Sequence, residues 1–114
     1  FNSDFAFDLL VGQMAEKQLA DILQGKRIEV KRDRRASETG RVFVEYESRG
    51  KRSGIATSQA DYYCFEFGGV FLLISTVALK AICRQYIGTE HDIRGGDNNT
   101  SKGILLPITA LFFQ

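Results

Sequence analysis

The sequence of 114 residues predicts one α+β domain, spanning residues 1–114, in which a mixed β-sheet is flanked by helices. Hydrophobic residues make up 44% of the chain, which is enough for a core and too many for a disordered chain. Segments with helical apolar spacing alternate with short segments rich in aromatic and β-branched residues. The length suits one domain, and the sequence shows neither an internal repeat nor a linker.

The first predicted element is a helix over Asp8–Leu23, which ends at the stop signal Gln24-Gly25. Apolar residues recur along it at helical spacing and form one stripe. The stripe comprises Leu10, Val11, Met14, Ala15, Leu19 and Ile22. Glu16 falls on the flank of this stripe, where a carboxylate is costly unless it is paired or bound to a metal. The alternative for Glu16 is a partly exposed position at the edge of the stripe.

Two strands are predicted next, over Arg27–Arg32 and Arg41–Glu47, joined by a basic loop. Side chains alternate across a strand, so that each has an apolar face and a charged face. If the strands pair as a hairpin, the charged residues that converge on one patch are Glu29, Lys31, Glu45 and Glu47. Carboxylates crowded beside a lysine repel one another unless a cation or a phosphate-rich partner is present. The patch therefore suggests a metal-dependent phosphodiesterase site, and its alternative is a salt-bridge ladder on an exposed sheet face.

The second half of the chain predicts further strands and a second helix, in the overall order α-β-β-β-turn-β-α-β. The segment Ile55–Ser58 could form a third strand, and Val70–Ser75 is apolar enough for the centre of a sheet. A helix follows over Thr76–Tyr86, with Ser75 or Thr76 as its cap. Residues 88–103 are polar and rich in turn formers, which predicts a loop before a last short strand at 104–106.

Charge is unevenly distributed along the chain, although the net charge is only +1. Between Lys26 and Arg52 there are ten Lys/Arg and five Asp/Glu residues, a local charge of +5, whereas the remaining residues carry −4. This arrangement places phosphate-binding cations around the predicted acidic patch. The residues expected to hold a DNA backbone are Arg32, Arg34, Arg35, Arg49, Lys51 and Arg52. The alternative is that these residues form solvated loops.

Neither a membrane span nor a secretory signal is predicted, because no apolar run is long enough and the first residues carry no basic start. Cys64 and Cys83 lie in apolar surroundings without CxxC spacing, so that we expect reduced thiols in a cytoplasmic protein that makes no membrane contact. The single histidine, His91, has no neighbouring His or Cys with which to hold zinc.

The order α-β-β-β-α-β, with Glu29-Val30-Lys31 in an early strand, resembles the PD-(D/E)XK nuclease superfamily, which includes archaeal Holliday-junction resolvases and restriction-type endonucleases. Four segments carry a narrower resemblance. They are IEVKRD, TGRVFVEYE, GKRSGIATSQADYY and GGDNNTSKG, and their succession is more specific than any one of them. More narrowly, this succession is similar to that of small phage-type nucleases, which act in the cytoplasm of a bacterial host. The resemblance implies a restriction-endonuclease-like α-β-β-β-α-β core.

The resemblance also implies roles for particular residues. Glu29 and Lys31 match the (D/E)XK pair, in which the acid binds a divalent metal, Mg²⁺ or else Mn²⁺. The lysine of such a pair contacts the attacked phosphate or the attacking water. Val30 would lend its backbone carbonyl to the metal, and Glu16 matches a helix-one glutamate of the resolvase-like branch.

The chain departs from the family in the first acid of the motif, an aspartate that normally lies on the strand before the (D/E)XK pair. Asp21 has a suitable spacing, but helix geometry places it on the solvent side. We therefore expect Glu45, across the hairpin, to supply the second carboxylate. Glu47 and Asp33 are weaker candidates.

These features predict an enzyme, a Mg²⁺-dependent DNA endonuclease that hydrolyses phosphodiester bonds with a metal-activated water. A core of this size leaves little surface for reading sequence, so that cleavage is expected to be structure-selective or weakly sequence-specific. A homodimer on branched DNA is one arrangement that would suit it. The first alternative is a non-catalytic nucleic-acid-binding module that keeps the nuclease fold. The second is an interaction domain whose acidic strand face pairs with a basic partner.

Overall fold

The structure, a computed structural model, describes residue 17 and residues 19–112. Residues 19–23 are helical and largely exposed. The elements that follow are β1 (Ile28–Arg32), α1 (Ala36–Thr39), β2 (Arg41–Ser48), β3 (Lys51–Arg52), a 3-10 turn (Gly54–Ala56), β4 (Tyr62–Phe67), β5 (Val70–Ser75), α2 (Thr76–Tyr86), β6 (Asp92–Gly95), a 3-10 turn (Asp97–Asn99), β7 (Ser101–Pro107) and a 3-10 turn (Ile108–Leu111). Most of the predicted helix Asp8–Leu23, including Glu16, lies outside the described residues.

The described strands form two sheets, and the α+β class with a mixed sheet is confirmed. In the first sheet the order is β1-β4-β5, with β1 parallel and β5 antiparallel to the central β4. The second sheet is antiparallel, in the order β3-β2-β7-β6. A parallel pair requires a long crossover, and the crossover from β1 to β4 contains two strands of the second sheet.

The predicted hairpin of the first two strands is wrong, because β1 and β2 belong to different sheets. The reason lies in the apolar face of β2. Val42 lies opposite Leu106 and Val44 lies opposite Ile104 across the β2–β7 ladder, and all four side chains are buried. Cross-strand apolar pairs of this kind stabilise a sheet. On β1, by contrast, the two apolar residues Ile28 and Val30 are exposed.

Three smaller predictions also fail. The strand Val70–Ser75 is the edge of its sheet, and β4 occupies the centre. The expected strand Ile55–Ser58 is replaced by the 3-10 turn Gly54–Ala56. Residues 88–103, predicted as a loop, contain β6 and the start of β7. These two strands were missed because they lack the apolar alternation by which a strand is recognised. In their ladder, for example, Arg94 lies opposite Lys102.

Helix α2 is confirmed at both ends as Thr76–Tyr86. Its N-terminus is capped by Ser75, whose hydroxyl oxygen accepts a 3.1 Å hydrogen bond from the backbone N–H of Ala78. The helix buries Leu79, Ile82 and Cys83, which share one face because they are three and four residues apart.

The core is one cluster that combines the inward side chains of both sheets with those of α2. The first sheet contributes Tyr63, Phe65, Leu72 and Ile74, and the second contributes Val42, Val44, Ile104 and Leu106. Both sheets are therefore held together by apolar burial, which is the main driving force of folding.

The cysteines are free thiols, as predicted. Cys83 is buried in the core, and burial raises the pKa of its thiol to about 12. Cys64 is half-buried, and burial raises the pKa of its thiol as well. No helix within residues 19–112 is long and apolar enough to cross a membrane.

Candidate functional site

Strand β1 directs Glu29 and Lys31 to the same face of the first sheet, because they are two residues apart. The Nζ atom of Lys31 lies 3.5 Å from Oε2 of Glu29, and the two side chains are 53% and 45% exposed. An exposed ion pair of this kind contributes only about 0.2–1 kcal/mol. Little free energy is therefore lost if Glu29 binds a metal cation instead of Lys31, or if Lys31 binds an anion instead of Glu29.

Glu45 lies on β2 of the second sheet, and Ser53 holds its side chain in place. Its Oε2 atom accepts a 2.9 Å hydrogen bond from the hydroxyl of Ser53. The next residue, Gly54, has φ +52° and packs so closely on β2 that a Cβ there would overlap the carbonyl oxygen of Glu45. Only glycine fits this position. Because Gly54 packs directly on Glu45, the preceding residue Ser53 lies within hydrogen-bond distance of the Glu45 carboxylate.

Two adjoining hollows, both lined by Lys31, Gly54 and Tyr63, form the inter-sheet cleft. The larger, of about 480 Å³, contains Glu29, and the smaller, of about 220 Å³, contains Glu45. The larger hollow is also lined by Arg27, Ile28, Thr57, Ser58, Gln59 and Ala60. The two predicted carboxylates and the predicted lysine thus line one cleft, although their strands are not paired with each other.

The oxygen donors of this cleft fit a small hard cation. Mg²⁺ in phosphate-processing sites is commonly bound by one or two carboxylates, with water and substrate phosphate completing its coordination. Glu29 and Glu45 provide that number. Among residues 17 and 19–112, no three His, Cys, Asp or Glu side chains come together as a complete ligand set, so a cation held here would depend on water and substrate for its other ligands.

The backbone of Val30 faces the edge of β1 that lies away from β4, where none of the described strands pairs with it. Within the ladder, the N–H of Asp33 donates to the carbonyl of Glu66 and the carbonyl of Arg27 accepts from the N–H of Tyr62. Backbone groups of alternate residues point to opposite edges of a strand, so that Glu29 and Lys31 share the ladder side with Asp33. The Val30 carbonyl then points away from β4, on the edge that a ligand can reach.

The other acids considered for the site do not line the inter-sheet cleft of the described structure. Asp33 is used by a turn, because its Oδ1 atom accepts a 3.0 Å hydrogen bond from the N–H of Arg35. Asp21 is exposed in the helical segment, as helix geometry predicts. Glu47 lies beyond the irregularity in β2, opposite Arg52 and Lys102.

The predicted DNA-binding cations are all exposed, but they occupy two elements of different sheets. The first group, at the end of β1 and in the turn after it, comprises Arg32, Arg34 and Arg35; the second, around the β2–β3 turn, comprises Arg49, Lys51 and Arg52. The Nε atom of Arg32 pairs with Oε2 of Glu66 at 3.1 Å. The Nη2 atom of Arg52 donates to the carbonyl of Ala56 at 3.0 Å.

Two further basic residues, Lys80 and Arg84, line a separate cleft together with Arg52. They belong to no motif, and only their spacing of four residues on a helix marks them as neighbours. Tyr46 lines this cleft as well, and its hydroxyl donates a 2.7 Å hydrogen bond to Oδ1 of Asp92. That hydrogen bond, with burial and the aspartate charge, raises the pKa of Tyr46 to about 12.

Comparison of the chain with protein-family models, with curated proteins and with solved structures gave no match. Function is therefore inferred from the residues that line the clefts.

Proposed function

We propose that the protein is a metal-dependent DNA endonuclease that hydrolyses phosphodiester bonds, with the inter-sheet cleft as its active site. One observation carries the proposal. Glu29 and Glu45 come from different sheets, yet both line this cleft, and Lys31 is a wall of both of its hollows. Two carboxylates beside one lysine are a suitable set for holding a divalent cation next to a phosphate.

Glu29 and Glu45 would hold Mg²⁺ or Mn²⁺, with the Val30 carbonyl as a further oxygen donor. When bound, the metal lowers the pKa of the attacking water and stabilises charge on the phosphate. Ser53 occupies Oε2 of Glu45, which leaves the other carboxylate oxygen for the cation. Lys31 is held to Glu29 only by an exposed ion pair, so that its ammonium group can turn to a phosphate oxygen when substrate is present.

Six exposed cations would bind the backbone of DNA, namely Arg32, Arg34, Arg35, Arg49, Lys51 and Arg52. Phosphate contacts position a protein on nucleic acid but carry no direct sequence information. Structure-selective or weakly specific cleavage is therefore part of the proposal, as are a homodimer on branched DNA and a cytoplasmic location.

The decisive experiment is cleavage of supercoiled plasmid and of a synthetic four-way junction in Mg²⁺, Mn²⁺ or EDTA. Wild type would be compared with Glu29→Gln, Glu45→Gln and Lys31→Gln. Glu38→Gln and Lys17→Gln are matched controls, because they make the same chemical changes at exposed positions that do not line the inter-sheet cleft. We expect metal-dependent cutting that is lost in the first three variants and retained in the two controls.

Cutting that survives Glu29→Gln and Glu45→Gln would refute the proposed site. Cutting in EDTA would refute the dependence on metal. A protein that binds DNA but never cuts it would instead be a non-catalytic nucleic-acid-binding module. That second candidate is favoured by one observation, namely that the described residues supply only two carboxylates and no complete ligand set.

A further inference from the structure

A second cleft, here called the basic cleft, lies next to the inter-sheet cleft. The two share Ile55, a residue of the turn Gly54–Ala56. The basic cleft has a volume of about 200 Å³. Sites for drug-sized ligands are larger, about 300–1,000 Å³, so this open cleft suits a single unit of a polymer, such as one nucleotide, better than a whole drug-sized ligand.

Three cations surround the basic cleft: Arg52 from β3, and Lys80 and Arg84 from α2. None of them pairs with a carboxylate of the described residues, and no described acidic side chain lines the cleft. Arg52 is already positioned by its 3.0 Å hydrogen bond to the carbonyl of Ala56. Glu47 lies opposite Arg52 in the β2–β3 ladder but forms no ion pair with it. A group of like charges that makes no ion pair with the described residues attracts an anion, and guanidinium groups bind phosphate in a fixed geometry.

The rest of the basic cleft is apolar and aromatic. Its lining includes Tyr46, Ile55, Ala56, Cys83 and Ile87. Ile87, at the end of α2, is 52% exposed. A cleft for inorganic anions alone would gain nothing from these groups. A base has a flat apolar face that packs on aromatic and aliphatic side chains, and base stacking on aromatics is a recurrent mode of single-strand recognition.

We propose that the basic cleft is a nucleotide subsite for single-stranded nucleic acid. A phosphate would lie against Arg52, Lys80 and Arg84, and the attached base would pack on Ile87 and Tyr46. This inference rests on the proposed function for the class of ligand. It adds that the strand entering the inter-sheet cleft passes the turn Gly54–Ala56 and places a neighbouring nucleotide, one that is not cleaved, in the basic cleft.

The subsite can be tested by binding alone, without cleavage. The affinity of a fluorescein-labelled oligothymidylate would be measured by anisotropy in EDTA over a series of salt concentrations. Loss of one phosphate contact on a single strand lowers the slope of log K against log salt by about 0.7, or about fivefold in affinity near 0.1 M salt. We expect that change for Arg84→Gln and for Lys80→Gln. Arg41→Gln and Lys17→Gln, exposed positions that do not line the basic cleft, should behave like wild type.

A second pair of variants tests the apolar wall. Ile87→Ser should weaken binding of the oligothymidylate several-fold but leave binding of a duplex of the same length unchanged, because a duplex has no free base to insert. Val77→Ser is the control, since Val77 is on the same helix, is 79% exposed and does not line the cleft.

The outcomes separate the subsite from the proposed function. If Arg84→Gln and Arg41→Gln bind alike, or if wild type does not bind the oligothymidylate, the subsite is refuted. If Ile87→Ser weakens single-strand and duplex binding equally, a base does not occupy the cleft and the proposal fails in that form. If the subsite variants lose binding while no protein cuts plasmid, the subsite stands and the nuclease does not. If Lys31→Gln abolishes binding and Arg84→Gln does not, the strand is held in the inter-sheet cleft alone.

Discussion

Ser53 donates a 2.9 Å hydrogen bond from its hydroxyl to Oε2 of Glu45. This bond ties the segment before the turn Gly54–Ala56 to the carboxylate that the second sheet contributes to the inter-sheet cleft. The bond is local, between two residues eight positions apart. The Glu45 carboxylate is therefore oriented by a residue that follows β3, and no residue of β1 takes part in this hydrogen bond.

Replacing Ser53 by alanine should therefore affect metal binding more than stability. Loss of one hydrogen bond costs about 0.5–1.5 kcal/mol, whereas loss of a group that orients a metal ligand typically costs about 10–100-fold in metal affinity. Calorimetric titration of Mn²⁺ into Ser53→Ala and wild type would measure the difference. Ser37→Ala, at an exposed position in α1, should bind Mn²⁺ like wild type. Equal Mn²⁺ affinity in all three proteins would contradict the role given to Ser53.

Gly54→Ala should destabilise the protein more than Gly88→Ala. Both glycines have positive φ, +52° and +76°, and a left-handed residue with a Cβ costs about 1–2 kcal/mol. Only at Gly54 would the added Cβ also overlap the backbone of Glu45, since nothing lies within 4 Å of a Cβ at Gly88. Overpacking of this kind adds about 1–3 kcal/mol. Urea denaturation of wild type and the two variants would measure the loss in free energy of unfolding. Equal losses would show that the backbone of β2 at Glu45 can shift to accommodate the added Cβ.

The hydrogen bond from Tyr46 to Asp92 predicts a pH dependence of stability. It contributes to raising the pKa of Tyr46 to about 12 in the folded protein, while an unfolded tyrosine titrates near 10. The neutral phenol is therefore favoured by folding. This contribution is complete below about pH 10 and is lost as the pH rises from there through about 12.

Above about pH 10, the free energy of unfolding of wild type should accordingly fall more steeply with pH than that of Tyr46→Phe. Asp92→Asn, which removes the carboxylate, should bring the absorbance titration of the Tyr46 phenol back towards its ordinary range. Parallel stability curves for wild type and Tyr46→Phe would mean that the phenol is not held by Asp92.

The two thiols should react at different rates. Burial raises the pKa of Cys83 to about 12, so that almost no thiolate is present at neutral pH. Cys64 is only half-buried. In native protein, Cys83→Ala should react with Ellman's reagent, whereas Cys64→Ser should react only after urea is added. Rapid reaction of native Cys64→Ser would show that the core around α2 opens readily.

Helix α2 could be predicted to its last residue because its signals are local. Ser75 caps the helix three residues from its partner, and the buried residues recur every turn within eleven residues. The strand Arg41–Ser48 was similarly recognisable from alternation. Alternation identifies a strand and its two faces, but it contains no information about which strand lies beside it.

That is why the hairpin failed although Glu29, Lys31 and Glu45 line adjoining hollows. On β2 the predicted apolar residues Val42 and Val44 are buried, whereas on β1 the residues of the predicted apolar face, Ile28 and Val30, are exposed. The position of Glu29, Lys31 and Glu45 around the inter-sheet cleft results from packing of the two sheets, which a strand pattern does not encode. The basic cleft was not predictable for a related reason. Arg52 and Lys80 come from separate elements and meet only in the folded chain.

The parallel pairing of β1 with β4 delays the assembly of the cleft. The N–H of Arg27 donates to Oδ2 of Asp61, 34 residues later in the sequence, and the strands that follow join over the same separation. Closing so long a segment costs entropy before any contact is gained, and non-local pairing of this kind slows folding. During synthesis, β1 can pair with β4 only after residue 67 has emerged, and β2, whose Glu45 lies opposite Gly103, can pair with β7 only later still. Glu29 and Lys31 therefore wait for β4 and Glu45 waits for β7, so the polar cleft is among the last features that a newly made molecule acquires.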